Sequence, residues 1–516
     1  MTAVQSISWA PLAPVLILVA GVVVVLLADL ILPIAGRDWL LPAISGVACA
    51  GAAGSAVWAG SRPGAGAFCS APAAGQGVRC SYVLGEVAVF LTVVLCLAAA
   101  AVLLLAVAQL RADDGATPTG EYCLVLLAAT AGAVIVAGSR DLITLVVGLE
   151  TLTVPMYAAV AFRRGSRSGV EAALTLLVVS ITSTALMLLG IGFLYGLTAT
   201  MHLDDLADRL TAGSGVGDLA LSGAAVALLL AGLAFKVGAV PFHIWAPSTY
   251  QGAPIPVAAF LSTVSKAGGV AGLIAVLPAI AAGSSAAATW MALLAAASMT
   301  VGNLVAMRQK HLVRLLAWSG IAQTGYLLVG LVVLSGRSGQ TAGGTGATLA
   351  YLAVYVLMTL GAFGCVAAIA GASASADSEG PSIESLRGLA GDHPRLAAAL
   401  ALFLIGLAGL PPALLGLFGK VVVVRAAFTG DVGWLGILVA LNTVIAFVYY
   451  LRVAAMLFAR VEQTTSPTLA PIMVQRRSVS SATGWLVAVL VVAVLLAGFW
   501  PDLVIGLAPL LGPLGD

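Results

Sequence analysis

Charge is what this sequence has least of. Acidic and basic residues fill 9% of its 516 positions, against about 25% in a soluble domain. So little polar surface cannot cover a water-facing globule, and a soluble enzyme or binding domain of this size is excluded. The charges nearly cancel, to a formal net of +2, which leaves no electrostatic case for a nucleic-acid partner. Histidine occurs four times and cysteine six, scattered with no metal-ligand spacing and no CxxC pair. No GxGxxG or phosphate loop follows a strand pattern. No metal, nucleotide or other cofactor is therefore expected within the chain.

Apolar residues are abundant, at 61% with a mean hydropathy of +1.11, so the bilayer is expected to be the main solvent. A spanning helix needs about 20 mostly apolar residues. Windows of that length fall at 11–35, 39–60, 82–110, 121–138, 141–162, 171–196, 221–242, 255–278, 287–307, 312–335, 345–371, 395–428, 432–459 and 483–511. The expected fold is all-α and integral to the membrane, with about 14 transmembrane helices. The first run has no basic segment before it and is too long for a signal-peptide core, so it reads as a retained helix.

The seventh and twelfth spans are expected to be broken. The twelfth is too long for one straight crossing and carries Pro411 and Pro412 in its middle; the seventh meets Pro241. Pro247, Pro254 and Pro256 shape the turn into the eighth. LAGLA at 230–234 and LIGLA at 404–408 each lie in a broken span. Each broken span is the fourth of a five-helix block, and an odd number of helices inverts the second block. Inverted repeats with discontinuous helices are a transporter signature. The expected organisation is a three-helix segment over 1–120, a first repeat over 121–280, an inverted second repeat over 285–460, and a loop with the last helix over 461–516.

With the N-terminus outside, the inner loops hold Arg37, Arg111, Arg163, Arg164, Arg167, Arg308, Lys310, Arg314, Arg387, Arg395, Arg460, Arg476 and Arg477. The outer loops hold only Arg62, Arg79, Arg140, Arg209 and Arg337, as the positive-inside rule requires. Residues 371–394 then form an inner connection. Cys69 and Cys80 share an outer loop, where an oxidising compartment allows a disulfide; two free thiols is the alternative. Cys49, Cys96, Cys123 and Cys365 lie within spans and read as small packing residues.

The charges left in the membrane are the functional candidates. Insertion costs roughly 2.5–3.5 kcal/mol for each lysine or acid near a helix centre. Three lysines and a glutamate together cost on the order of 10 kcal/mol, comparable to a domain's whole stability. Such groups persist only if paired, hydrated or neutral, and lysine, unlike arginine, can give up its proton. Glu150 is mid-helix with Thr153 and Tyr157 on its face. Lys266 has Ser262 and Thr263 a turn earlier and Gly269 a turn later, which reads as a polar stripe with room for water. Ser319, Gln323 and Tyr326 form a second stripe. Lys236 and Lys420 lie close to the two breaks. Each could instead be a structural ion pair or snorkel to an interface; snorkelling fits Arg425 and Arg452 best, and Asp29 fits the interface. His243, just after Pro241, reads as a structural hydrogen bonder or a relay.

The stretch FKVGAVPFHIWAPSTYQGAPIPVAAFLSTVSK at 235–266 resembles the antiporter-like membrane subunits of respiratory complex I, the N-subunit branch in particular. DLITLVVGLETLTVPMYA around Glu150, HLVRLLAWSGIAQTGY around Gln323, LRGLAGDHP, GLPPALLGLFGK before Lys420 and LNTVIAFVYYLRV extend the resemblance over about 120–460. It implies that Glu150 pairs with Lys236, that Lys266 is the central lysine of the eighth helix, and that Lys420 is the lysine of the broken twelfth. The M-subunit branch usually has glutamate there. These four residues would move protons, with His243, Gln323, Tyr326, Ser262 and Thr263 as relay or support. The sequence departs from the family at Gln323, often histidine, and in the valines after Lys420.

The resemblance further implies a multi-pass subunit of a bacterial inner-membrane NADH-quinone oxidoreductase, packed beside other antiporter-like and small membrane subunits. NADH, FMN, iron–sulfur clusters and quinone would all be held by partner subunits. The alternatives are a subunit of a sodium/proton antiporter or hydrogenase-type complex, and a scaffold that does not pump.

Overall fold

A computed structural model describes residues 7–502, apart from 34–35, 63, 65, 71–77, 113–116, 164–165, 212–218, 284, 336–340, 373–379, 461–479 and 501. Arg164, Arg337, Arg476, Arg477 and the end of the expected last span lie outside the described residues, as does the loop 461–479. No water is available in hydrocarbon to satisfy backbone polar groups, so apolar runs of this length close their hydrogen bonds internally as helices. In order these are α1 (Ala13–Ile31), α2 (Arg37–Gly60), α3 (Glu86–Ala112), α4 (Thr119–Gly138), α5 (Leu142–Ala161), α6 (Arg167–Thr198), α7 (Leu203–Thr211), α8 (Leu219–Val237), α9 (Trp245–Gly252) and α10 (Ile255–Phe260). A π-helical turn, Leu261–Ser265, leads from α10 into α11 (Lys266–Gly283). Then come α12 (Ser285–Ala306), α13 (Leu312–Leu334), α14 (Thr341–Ala372), α15 (Leu389–Asp392), α16 (Pro394–Ala408), α17 (Leu414–Thr429), α18 (Gly433–Phe458) and α19 (Ser481–Phe499).

Among the described residues, twelve helices, counting α10 to α11 as one, are long and apolar enough to cross a membrane. The two other expected spans are each built from shorter pieces, at the places where proline forecasts a break. The pieces end alike. Gly238 follows α8 with φ +70° and Gly409 follows α16 with φ +80°, the left-handed conformation that glycine adopts without strain. Ala239 N–H donates to Ala234 O at 2.9 Å and Gly238 N–H to Phe235 O at 2.9 Å. After α16, Leu410 N–H donates to Ile405 O at 3.3 Å and Gly409 N–H to Gly406 O at 2.8 Å. Both are Schellman endings, and a cis X-Pro bond follows three residues on, at Pro241 and Pro412. This pairs Gly238 with Gly409, a register three residues away from the LAGLA/LIGLA match. The five-residue similarity therefore does not align the two breaks.

Two elements differ from the expected spans. The third begins at Glu86, not at 82, because Arg79–Val83 pairs antiparallel with Gly66–Ser70 in a small hairpin. Cys69 and Cys80 face each other across it and are bonded; the other four cysteines are buried and free. The short α7 is amphipathic, burying Leu203 and Leu206. Arg79 ties the hairpin to it through Asp205 at 2.6 Å, and Arg140 N–H donates to Ser81 O at 2.9 Å.

Candidate functional site

The site begins on α5, whose first turn is capped by Asp141 accepting from Thr144 N–H at 2.7 Å. Two turns on, Glu150 meets Lys236, which stands in the last turn of α8, where unpaired carbonyls favour a cation. Lys236 Nζ donates to Glu150 Oε1 at 3.0 Å and Thr153 Oγ1 at 2.9 Å, with Ser180 Oγ at 3.5 Å. Thr184 donates to the same carboxylate oxygen at 2.8 Å. The Lys236 side chain is 5% exposed and that of Glu150 is 30% exposed, so the pair opens outward on the carboxylate side only.

Lys266 does not sit in the expected polar stripe. Ser262 and Thr263 turn their hydroxyls back onto Ala259 O, at 2.9 and 2.6 Å, because the π-helical turn shifts the bonding pattern and local side-chain donors take the carbonyl. Gly269 is no space for water either. A Cβ there would meet Val237 Cγ1 at 2.9 Å and the Lys236 carbonyl carbon at 3.1 Å, so this glycine lets α11 press directly on Lys236. Lys266 Nζ instead reaches across to α13, donating to Gly320 O at 2.5 Å and Thr324 Oγ1 at 2.9 Å.

Lys420 folds back over Gly409 and donates to Ala408 O, a free carbonyl at the end of α16, at 2.7 Å. Its ammonium lies 4.6 Å from the ring centre of Tyr326, within cation–π range. Gln323 Nε2 donates to the neighbouring free carbonyl, Leu407 O, at 3.0 Å, and its Oε1 accepts from the Tyr351 hydroxyl. Thr324 donates to Val237 O, the free carbonyl at the end of α8, at 2.9 Å. Adjacent residues of α13 thus satisfy the broken ends of both α8 and α16, and α13 is the element that joins Lys236, Lys266 and Lys420.

The structure brings Glu150, Lys236, Lys266, Lys420, Gln323 and Tyr326 into one connected row. It leaves His243 aside, where the ring packs edge-on against Trp318, 5.1 Å between centres. Arg425 and Arg452 are exposed on α17 and α18, and Arg37 pairs with Asp29 at 3.3 Å. Residue-by-residue reading missed Thr184, Ser180, Thr324, Tyr351 and Tyr355. A signal existed only for the two tyrosines, spaced i and i+4 in an otherwise apolar helix.

Broken helices whose free carbonyls face buried lysines are a way to hold and pass cations inside a bilayer, which makes this an ion-translocating type of membrane protein. Residues 139–446 match the family model described as NADH:quinone oxidoreductase/Mrp antiporter, TM, and the chain belongs to that family. Within it, NADH-quinone oxidoreductase subunit N of Salinispora tropica is 42% identical over 472 residues, 91% of this chain and 88% of that one. Subunit N 2 of Streptomyces griseus is 40% identical over 482 residues, 91% and 86%. A chain of respiratory complex I from Thermus thermophilus with bound aureothin superposes with a TM-score of 0.73 at 29% identity, covering 97% of this chain and 100% of that one. A chain of the Mrp complex from Dietzia sp. superposes at 0.77 with 21% identity, covering 97% and 96%, a likeness of fold alone.

Proposed function

We propose that this chain is the antiporter-like, proton-translocating N subunit of an NADH:quinone oxidoreductase in a bacterial inner membrane. The observation that carries the proposal is the row Glu150, Lys236, Lys266, Lys420, because ionisable side chains are costly at membrane depth and mark ion pathways there. On this reading each broken pair is one crossing, for about fourteen in all, the N-terminus lies outside, and two inverted five-helix repeats cover 121–280 and 285–460. NADH oxidation and quinone reduction belong to partner subunits, which hold FMN and the iron–sulfur clusters; neighbouring antiporter-like subunits pack against the sides.

In this account the Glu150–Lys236 contact is the variable element. When it loosens, Lys236 loses its counter-charge, and a proton is pushed along the row, past Lys266, toward Lys420, and from there to the outer side. The parent complex is tested by tagging this chain in its native membrane and purifying what comes with it. NADH:quinone oxidoreductase activity is expected to co-purify. Purification alone, with sodium-dependent antiport by the isolated chain, would overturn the assignment.

A further inference from the structure

Lys266 and Lys420 meet α13 at Gly320 and Tyr326, six positions apart, about 9 Å along a helix axis. A proton passes directly only across roughly 2.6–3.2 Å, so carriers must stand between the two amines. Among the described residues neither lysine has an ion-pair partner. Gln323 stands in the gap, but an amide does not take up and release protons at ordinary pH, and both its ends are bonded.

Thr324 on α13 already bonds Lys266 and donates to Val237 O, and Ser319 is paired with Tyr450; two further hydroxyls, on α14, stand beside the lysines. Tyr351 and Tyr355 are one turn apart on the same face and are 3% and 2% exposed. Tyr355 places its ring 5.4 Å from Lys266 Nζ and donates to Ser262 O at 2.8 Å. A Cβ on Gly320 would lie 3.3 Å from Lys266 Nζ and 3.4 Å from the Tyr355 hydroxyl. The amine and the hydroxyl therefore face one spot that the missing side chain of Gly320 keeps open. At the other end, Tyr351 stands edge-on to Tyr326, 6.1 Å between centres, and Tyr326 lies against Lys420. Phenylalanine would fill these positions with no hydroxyl to satisfy.

We propose that Tyr355 and Tyr351 form a hydroxyl relay from Lys266 to Lys420, with the Tyr351–Gln323 hydrogen bond as its resting position. This rests on reading the chain as a proton channel. An N–H bond of the Lys266 ammonium breaks and its proton passes to the Tyr355 oxygen. The Tyr355 proton moves to the Tyr351 oxygen, and the Tyr351 proton forms a new N–H bond on the neutral Lys420 amine; each transfer is direct or through a water. Each tyrosine ends neutral, and no electron changes place. Gln323 Oε1 can only accept, so Tyr351 must turn away from it to conduct.

The test uses the whole complex in sealed vesicles, measuring NADH-driven proton uptake per assembled complex. Tyr351→Phe and Tyr355→Phe are expected to slow uptake on the order of 10²-fold, as loss of a positioned proton carrier does, and to raise the solvent deuterium isotope effect on what remains. Gly320→Ala, which fills the shared spot, is expected to act with Tyr355→Phe. Gln323→His, placed in the Tyr351→Phe background, is expected to restore uptake, since imidazole can carry the proton. If Lys266→Ala abolishes uptake while both tyrosine variants stay within about twofold of the parent with an unchanged isotope effect, the relay is overturned and the channel stands. If Lys266→Ala itself pumps normally, the channel reading fails. Should Tyr351→Phe not assemble, Tyr355→Phe decides on the same thresholds.

Discussion

Glu150 and Lys236 are 3.0 Å apart, and their coupling can be measured by removing each charge and then both. At that distance two unit charges attract by about 5–6 kcal/mol at an effective dielectric constant of about 20. Desolvation of Lys236 offsets part of this, and breaking one partner of a buried pair typically costs about 3–5 kcal/mol. Glu150→Gln should fall at the lower end. The amide can still accept from Lys236, Thr153 still holds the ammonium at 2.9 Å, and the carboxylate side is open. Lys236→Met should cost a similar amount, because among the described residues Glu150 then keeps Thr184 alone as a hydrogen-bond partner. The double variant removes both charges and strands neither, so it should be about 3 kcal/mol more stable than the sum of the singles. The assay is equilibrium unfolding of the purified protein in mixed micelles with rising dodecyl sulfate. Strict additivity of the two substitutions would refute the ion pair and, with it, the first link of the row.

Gly269→Val should destabilise the protein by about 1–3 kcal/mol through overpacking against Lys236 and Val237, with Gly269→Ala between it and the parent; melting in detergent reads both. Gln323→Leu should cost about 1–3 kcal/mol for each buried group it strands, Leu407 O and the Tyr351 hydroxyl, whereas Gln323→Glu should recover part of that in the same unfolding assay. A membrane-impermeant maleimide should label Cys69 and Cys80 only after reduction and only from the outer side. Labelling from the inner side of intact vesicles would contradict the orientation, and labelling without reduction would contradict the disulfide.

The membrane charges and both helix breaks were legible in the sequence because each is a local conflict with its surroundings: a lysine or a proline in an apolar run needs no partner to be noticed. What surrounds those charges was not legible. The π-helical turn before Lys266 holds Ser262 O against a hydroxyl from Tyr355, 93 residues away, and no local pattern encodes that contact. Ser262 and Thr263 looked like partners of Lys266 by spacing, yet their nearest acceptor is their own backbone. Gly269 looked like room and is instead a place of close helix contact, two uses of glycine that spacing alone does not separate. Thr324 is hidden beside Gln323 because its role, satisfying the end of α8, exists only once α8 is known to stop at Val237. The strands Gly66–Ser70 and Arg79–Val83 and the amphipathic α7 lie almost wholly between apolar windows, where length and hydropathy carry no signal.

The central claim is that the buried row carries protons. Its most direct test is NADH-driven acidification of inverted membrane vesicles bearing the assembled complex with Glu150→Gln, Lys236→Met or Lys266→Met. The account predicts that each variant assembles and loses pumping. Normal pumping in all three, with assembly verified, would contradict it.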